Sequence, residues 1–192
     1  MKKPLIKIFI LIVFVFTAAS AFLCAQEPEK WVSFKSEQFN YSIDFPMMPL
    51  EETDIFETEA GEMRLSVAEL DCSAHEGYNN IMYMLNCTVY PDALIHSDLT
   101  DLLDHFFTNT INSAVSNTGG ELLSSYEVSY AGYPGREVRI AADEGATIFS
   151  TRLYLIGSKF FMMIILTEAG KGDIPEIQKF FDSFRDNTIS LN

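Results

Sequence analysis

The chain has 192 residues, of which 27 are acidic and 13 are basic, so its formal net charge at pH 7 is −14. Binding to phosphate backbones depends on clustered lysines and arginines, and the sequence has no such cluster, which argues against a nucleic-acid partner. No internal repeat, linker or low-complexity tract divides the chain. Its length suits a single domain with a sizeable core.

The first 25 residues have the order of a secretory signal peptide. Three lysines come first, an unbroken apolar run covers residues 8–16, and small residues follow at 17–21. The apolar run is shorter than the ~20 residues with which a helix crosses the hydrocarbon core of a membrane. We therefore expect export to the periplasm or the cell exterior, and a mature chain of residues 26–192 without a transmembrane helix.

Two cleavage positions fit this leader, one after Ala25 and one after Ala21, where an A-x-A pattern occurs. We prefer Ala25 because a polar segment begins directly after it. Cys24 offers a lipoprotein anchor as a third interpretation, but that processing requires a small residue before the cysteine, and Leu23 stands there. Cleavage after Ala25 removes three of the 13 basic residues and no acid, so 10 bases face 27 acids and the formal net charge becomes −17.

Three segments have the residue patterns of β-strands. Residues 41–45, YSIDF, alternate apolar and polar side chains, which predicts one buried and one solvated face. Residues 81–90 and 159–167 are apolar at both odd and even positions, so we expect strands that are covered on both faces. Gly157 and Ser158 form a two-residue hairpin turn in which the glycine needs a positive φ. The patterns predict a mostly antiparallel, sandwiched sheet.

The segment of residues 51–62, EETDIFETEAGE, contains six acids and no base. We interpret it as a solvated edge strand and turn. A calcium site is the alternative, but the D-x-D-x-D-G spacing of calcium loops is absent.

Residues 130–140, YAGYPGREVRI, contain two glycines around a proline, as some phosphate-binding loops do. The spacing fits neither known phosphate loop, and no helix start follows to hold an anion. The segment therefore predicts a turn of type II, with Pro134 and Gly135 at its two central positions.

Two segments repeat apolar residues at the spacing of a helix. The first begins after Ser97, a favourable N-cap, and ends near Asn117, before a pair of glycines. The second begins at Asp173, with Pro175 in its first turn and Glu176 completing a capping box. The apolar stripes are Leu99, Leu102, Leu103, Phe106, Thr110, Ala114 and Val115 in the first helix and Ile177, Phe180, Phe181 and Phe184 in the second.

Histidines are the first candidates for a chemical site. His75 shares a loop with Asp71, Cys72 and Glu76, but a ligand pair at C-x-x-C or H-x-x-x-H spacing is missing, so we expect a polar loop rather than a zinc site. His96 and His105 are nine residues apart, half a turn out of phase at 3.6 residues per turn. One helix face cannot present both, and we expect no joint catalytic role.

The two cysteines of the mature chain are Cys72 and Cys87. If residues 64–72 and 81–90 form a hairpin, the two Cα atoms are farther apart than the ~7 Å that a disulfide allows. We expect two buried free thiols. A G-x-S-x-G nucleophile motif is absent.

Three arginines, Arg136, Arg139 and Arg152, raise the possibility of an anion site. Antiparallel pairing across a turn at residues 141–146 would bring Arg136 close to Arg152. The expected alternative is pairing with the nearby carboxylates, which are Glu137, Asp143 and Glu144.

Four methionines fall on the proposed central strands: Met82, Met84, Met162 and Met163. A hydrophobic ligand cavity is conceivable there, but flexible methionines usually fill irregular cores, so we expect core positions.

Six motifs follow one another over nearly all of the chain after the leader. They are W-x-x-F-x-S at 31–36, F-x-Y-S-I-D-F-P at 39–46, Y-x-x-x-C-T-V-Y-P at 83–91, G-Y-P-G-R-E at 132–137, R-L-Y-L-I-G-S-K-F-F at 152–161 and F-F-D-S-F at 180–184. Their order resembles the PsbP-like family, and more closely its small exported bacterial members. The resemblance implies an α+β fold, a three-layer α/β/α sandwich around a mostly antiparallel sheet, with no shared catalytic residue.

The same resemblance implies a docking role. Members of the PsbP-like family serve as an accessory subunit of the photosynthetic oxygen-evolving complex and as a binder of a nuclear GTPase, although no motif maps their contact residues onto this chain. We expect an exported, non-enzymatic binding or accessory module for a protein or cell-envelope component. The alternative is a periplasmic protein that binds a small ligand, an anion or a metal ion. We assign no catalytic, cofactor-binding or metal-ligating residue, and no cofactor.

Overall fold

A computed structural model describes residues 31–75, 77–171 and 174–189. The predicted leader, both of its cleavage positions and the anchor at Cys24 lie outside these residues. The same holds for Glu76 of the His75 loop and for Asp173, the predicted start of the second helix. These predictions therefore stay predictions.

The described chain contains ten strands, two α-helices and one short 3-10 helix (Asp143–Gly145). In order, the strands and α-helices are β1 (Val32–Ser36), β2 (Tyr41–Phe45), β3 (Leu50–Thr58), β4 (Gly61–Asp71), β5 (Asn80–Val89), α1 (Thr100–Thr118), β6 (Glu121–Tyr130), β7 (Tyr133–Ala142), β8 (Thr147–Ile156), β9 (Lys159–Glu168), α2 (Ile174–Ser183) and β10 (Arg185–Asp186). Seven strands form one sheet in the order β3-β4-β5-β9-β8-β7-β6, and all of its pairs are antiparallel.

The large sheet carries a helix on each face. Because side chains alternate along a strand, β8 sends Leu153 towards α1 and Tyr154 towards α2. On β9, Phe160 packs with the α1 layer, whereas Phe161 contacts Phe184 at the end of α2, with ring centroids 4.8 Å apart. This arrangement is an α+β, three-layer sandwich around an antiparallel sheet, as the sequence predicts.

A second, small sheet of order β1-β2-β10 shares the layer of α2. Its β2 strand is the predicted YSIDF segment, and Tyr41, Ile43 and Phe45 are fully buried, as the alternation indicates. The partners of β2 are β1 and β10 rather than the large sheet. Alternation defines which face of a strand is buried but not which strand lies beside it, so the sequence did not reveal this sheet.

The edges and hairpins of the large sheet agree with several predictions. The acidic segment forms the edge strand β3 and the turn into β4. β4 and β5 form the expected hairpin. Gly157 has a φ of 59° in the two-residue turn between β8 and β9, where Ile156 pairs with Lys159.

The turn near Pro134 is real, but its predicted position was wrong. The two turn residues between β6 and β7 are Ala131 and Gly132, with φ values of 50° and 87°. Gly135 is inside β7, where a Cβ atom would lie 2.3 Å from the carbonyl oxygen of Leu153. Gly135 is therefore required by the close approach of β8 and not by a positive φ.

Helix α1 begins later than predicted. Ser97 does not cap it, because the Ser97 hydroxyl accepts a hydrogen bond from the backbone N–H of Gly157 at 3.1 Å, and the helix starts at Thr100 with no side-chain cap. The predicted end is correct to one residue, with Gly119 in the left-handed conformation at φ 60°. Within the described ranges, no helix is both long and apolar enough to cross a membrane.

Candidate functional site

Helix α1 covers only one half of its face of the large sheet. It lies mainly over β7, and the side chains buried in its layer include Val138, Ile140, Leu153, Leu155 and Phe160. From β9 towards β3, most apolar side chains on the same face are only half-buried. We call the following seven residues the open face: Leu65, Val67, Met82, Met84, Met162, Ile164 and Leu166.

The strand register makes the open face continuous across β5 and β9, whereas Asn86 and Thr88 on β5 separate Val67 and Leu65 from β9. Met84 pairs with Ile164 and Met82 pairs with Leu166 across β5 and β9, so their side chains are neighbours on the same side. The prediction that residues 81–90 and 159–167 are covered on both faces was therefore wrong for this half of the sheet. Apolar residues at both odd and even positions of a strand indicate that both faces of the strand are apolar. They do not show whether each face is covered by the chain itself or is open to a partner.

An open groove of about 580 Å³ runs along α1 beside the open face. Its aromatic wall is fixed by edge-to-face contacts of Phe106 with Phe160 and Tyr90, at centroid distances of 5.1 and 6.2 Å. Leu94 and Leu102 line the same groove with 45% and 48% of their surface exposed. Burial raises the pKa of Tyr90, so its hydroxyl stays neutral in ordinary conditions.

The apolar stripe of α1 is wider than the surface that covers it. Phe107 and Ile111, which the predicted stripe left out, are the buried residues of the helix, whereas Leu99 and Leu102 of the predicted stripe are largely exposed. The buried stripe of α1 is thus rotated by about one residue relative to the predicted stripe. The part of the predicted stripe that is not covered lies at the groove.

Acids border the open face on the edge strand β3, the side away from α1, and interrupt it on β4. Glu52 and Asp54 on β3 and Glu69 and Asp71 on β4 are exposed, and the register places their side chains beside those of the open face. Hydrogen bonds from the hydroxyl and backbone N–H of Ser73 lower the pKa of Asp71 and favour its charged form. We call these four carboxylates the acidic rim.

No base offsets this charge within the part of the chain that forms the groove. The sequences of α1, β3 and β5 contain neither lysine nor arginine. The only bases of β4 and β9 are Arg64 and Lys159, whose parity places them on the opposite face of the sheet. The site is therefore mainly apolar on β9 and β5 and becomes negatively charged on β4 and β3.

The predicted proximity of Arg136 and Arg152 was wrong. Arg136 pairs with Leu153 in the register, and Arg152 pairs with Glu137, so the two guanidinium groups lie on opposite faces of the sheet. Arg136 is held above the ring of Phe107 at 5.1 Å. It also contacts two exposed carboxylates, those of Asp104 at 2.7 Å and Glu127 at 3.3 Å.

Arg152 joins two strands to helix α2. Its guanidinium contacts the carboxylates of Glu137 at 2.6 Å and Asp182 at 2.8 Å, and it lies 4.9 Å from the ring centre of Phe181. Burial alone would lower the pKa of Arg152, but hydrogen bonds to Asp182 and Glu137 outweigh it, and the pKa is raised. The expected pairing with Glu137 is confirmed, and Arg139 has no ion pair with another described residue.

The histidines lie in three separate settings. The ring of His75 is 6.3 Å from that of Tyr78, His96 is 3.4 Å from Asp98, and His105 is exposed at the groove. Among the residues that the structure describes, no group of three His, Cys, Asp or Glu side chains is arranged to hold a metal ion.

Cys72 and Cys87 are both buried and form no disulfide with each other, as predicted. Burial raises the pKa of Cys87 to about 12, so the nucleophilic thiolate is strongly disfavoured there.

The methionines divide by parity, which the sequence interpretation missed. Only Met163 lies fully in the core, whereas Met82, Met84 and Met162 are half-buried on the open face. The expectation of core positions was wrong for Met82 and Met84, whereas Met162 packs against the core cluster beneath α1. The register of β5 and β9 is the signal that would have separated them, and a single sequence does not supply it.

No family model and no curated protein sequence matches this chain. Among solved structures it is similar to cyanobacterial PsbP (CyanoP) from Synechocystis sp. PCC 6803, with a TM-score of 0.44, 12% identity and coverage of 85% of this chain and 96% of that one. A protein of unknown function from Pseudomonas aeruginosa gives a TM-score of 0.38 at 9% identity, over 84% of this chain and 97% of the other.

A third similar structure comes from Bacteroides thetaiotaomicron, with a TM-score of 0.44, 13% identity and 80% of this chain covered. The match spans about half of that protein, 47% of its length. The first of the three is a PsbP protein, the family that the six sequence motifs resemble.

Proposed function

We propose that this protein is an exported, non-enzymatic binding module that docks a protein partner on the open face, with the groove along α1 as one side of the contact. One observation carries the proposal: one half of a sheet face is covered by a helix, and the apolar other half has no such cover in the described chain. Contiguous exposed apolar surface of a few hundred Å² commonly marks an interaction site.

The energetics favour occupation of this surface. Removing apolar surface from water contributes about 25 cal/mol per Å², so covering even ~400 Å² would contribute on the order of 10 kcal/mol before the costs of association. Rigid aromatic walls lose little conformational freedom on binding, and half-buried methionines adapt to the shape of a partner. Both properties suit docking.

A small hydrophobic ligand is the second candidate, because the groove volume of about 580 Å³ falls in the range of ligand pockets. His105, Asn109 and Asn117 on α1 line the same groove and supply polar groups that would orient such a ligand. If a small ligand is the natural occupant, screening by thermal shift should raise the melting midpoint, since binding to the native state stabilises it.

Affinity purification with a matched pair of variants tests the proposal. The tagged protein, expressed with its own leader, is purified from the envelope fraction of the organism that encodes it, and partners are quantified by mass spectrometry. Leu102→Glu places a charge at the groove, and Asn112→Glu places the same charge on an exposed position of α1 outside the groove lining. We expect a partner that the wild type and Asn112→Glu retain and Leu102→Glu loses. Equal retention by both variants would refute docking at this face.

A further inference from the structure

From the charge and width of this site we infer that the docking segment of the partner is a basic amphipathic helix, which lies on the open face parallel or antiparallel to α1. This inference rests on the proposed function and specifies its partner. Three features of the described residues support it: the acidic rim, the width of the open strands, and the composition of the floor.

The acidic rim selects a basic partner. Four exposed carboxylates border the open face, and the groove-forming elements offer no lysine or arginine on that side. A second copy of this chain would bring another formal charge of −14. Nucleic acids and anionic membranes would also be repelled. Complementary charge speeds encounter and excludes wrong partners, so a segment flanked by lysine or arginine fits best.

The open strands leave room for one helix. The three strand spacings from β9 to β3 span about 14 Å, since neighbouring strands lie ~4.8 Å apart. A helix is ~10 Å wide and packs ~8–10 Å from its neighbour, so one helix beside α1 would complete the layer. The 11 residues of β4 extend over roughly 36 Å, which accommodates a helix of about 20 residues.

The floor suits the apolar stripe of such a helix. Its apolar pairs are Met84 with Ile164 and Met82 with Leu166, whereas Val67 on β4 pairs with Asn86 and is only a diagonal neighbour of Met84. A partner helix would place apolar residues at three- and four-residue spacing on this floor and against Leu102 and Phe106. Its basic residues would lie on the side away from α1, above Glu52, Asp54 and Glu69.

Two model peptides test the inference directly. Both have 18 residues with leucines at identical helical positions; one carries lysine at the polar positions and the other carries glutamate. The protein, expressed with its own leader and purified after processing, is titrated with each peptide by calorimetry, and circular dichroism follows peptide helicity. We expect the lysine peptide to bind and to become helical, and the glutamate peptide to bind at least tenfold more weakly.

Charge variants locate the binding. In the triple variant Glu52→Gln, Asp54→Asn, Glu69→Gln, we expect about a tenfold weaker affinity for the lysine peptide, since exposed charge pairs contribute ~0.5 kcal/mol each. The control triple variant Glu59→Gln, Glu121→Gln, Glu144→Gln changes the net charge equally at exposed positions outside the rim. It should change the affinity by less than about twofold. General electrostatic attraction would weaken binding equally in the two triple variants, because both lose the same net charge.

Three outcomes would overturn the inference: equal binding of the two peptides, equal losses in the two triple variants, or binding without a gain in helicity. None of these would by itself refute the proposed function, because the loss of a natural partner in Leu102→Glu is measured independently. If that partner is lost while the peptides fail, the face docks a segment of different chemistry, and only the present inference falls.

Discussion

Gly132, in the turn before β7, and Gly135, inside β7, are required as glycines for different reasons. Gly135 has an ordinary φ but no room, since a Cβ atom would lie 2.3 Å from Leu153 O and 2.5 Å from the ring of Tyr154. Gly132 has free space around it but a φ of 87°. We predict that Gly135→Ala lowers the free energy of unfolding by ~2–4 kcal/mol through crowding, and Gly132→Ala by only ~1 kcal/mol through backbone strain. Urea denaturation measures both, and equal losses would contradict this assignment.

A buried thiol and two buried tyrosine hydroxyls make the stability of the protein sensitive to alkaline pH. Burial raises the pKa of Cys87 from 9.0 to about 12, and it also raises the pKa values of Tyr41 and Tyr83. Between pH 9 and 12 the unfolded thiol loses its proton while the folded thiol keeps it. Stability from this group is therefore full below pH 9 and falls as pH rises, by up to ~1.4 kcal/mol per pH unit.

The variant Cys87→Ala isolates the contribution of the thiol to that fall. Its free energy of unfolding should decrease less steeply than that of the wild type between pH 9 and 11, because the titration of the Cys87 thiol in the unfolded state no longer contributes. The cavity left by the sulfur shifts the whole curve and not its slope. Parallel pH profiles for the two proteins would show that Cys87 is not protected from ionisation.

At the scale of elements, Arg152 fastens α2 to strands β7 and β8. Its side chain is only 12% exposed, and Glu137, its closest carboxylate, is 29% exposed. We predict that Arg152→Met costs ~2 kcal/mol, because a poorly solvated carboxylate loses its partner, and that adding Glu137→Gln recovers part of this loss. Arg136→Met is the matched control on the other face, where both carboxylates are more than 80% exposed. We expect it to cost less, and urea denaturation of the three variants and the wild type gives the comparison.

The sequence predicts the helices and strands better than it predicts which of them pack or pair with one another. Both helices, the hairpins and the antiparallel sheet follow from local periodicity and turn residues, which act over a few positions. The errors concern contacts between distant segments. Ser97 bonds to the β8–β9 turn instead of capping α1, and the half-exposed methionines are separated from Met163 only by the register of β5 against β9. The open face therefore became visible only when the sheet was assembled.

For the whole molecule, net charge and the open face act in opposite directions. Apolar surface favours self-association, whereas two copies with a formal charge of −14 each repel one another. Salt changes this balance, since the screening length falls from ~10 Å at 0.1 M to ~3 Å at 1 M while apolar attraction persists. We predict a monomer at low salt and concentration-dependent association near 1 M NaCl, measured by sedimentation equilibrium. Leu102→Glu should weaken the association, and Asn112→Glu should not. If association does not depend on salt, or is unchanged in Leu102→Glu, the surface that mediates self-association lies elsewhere on the molecule.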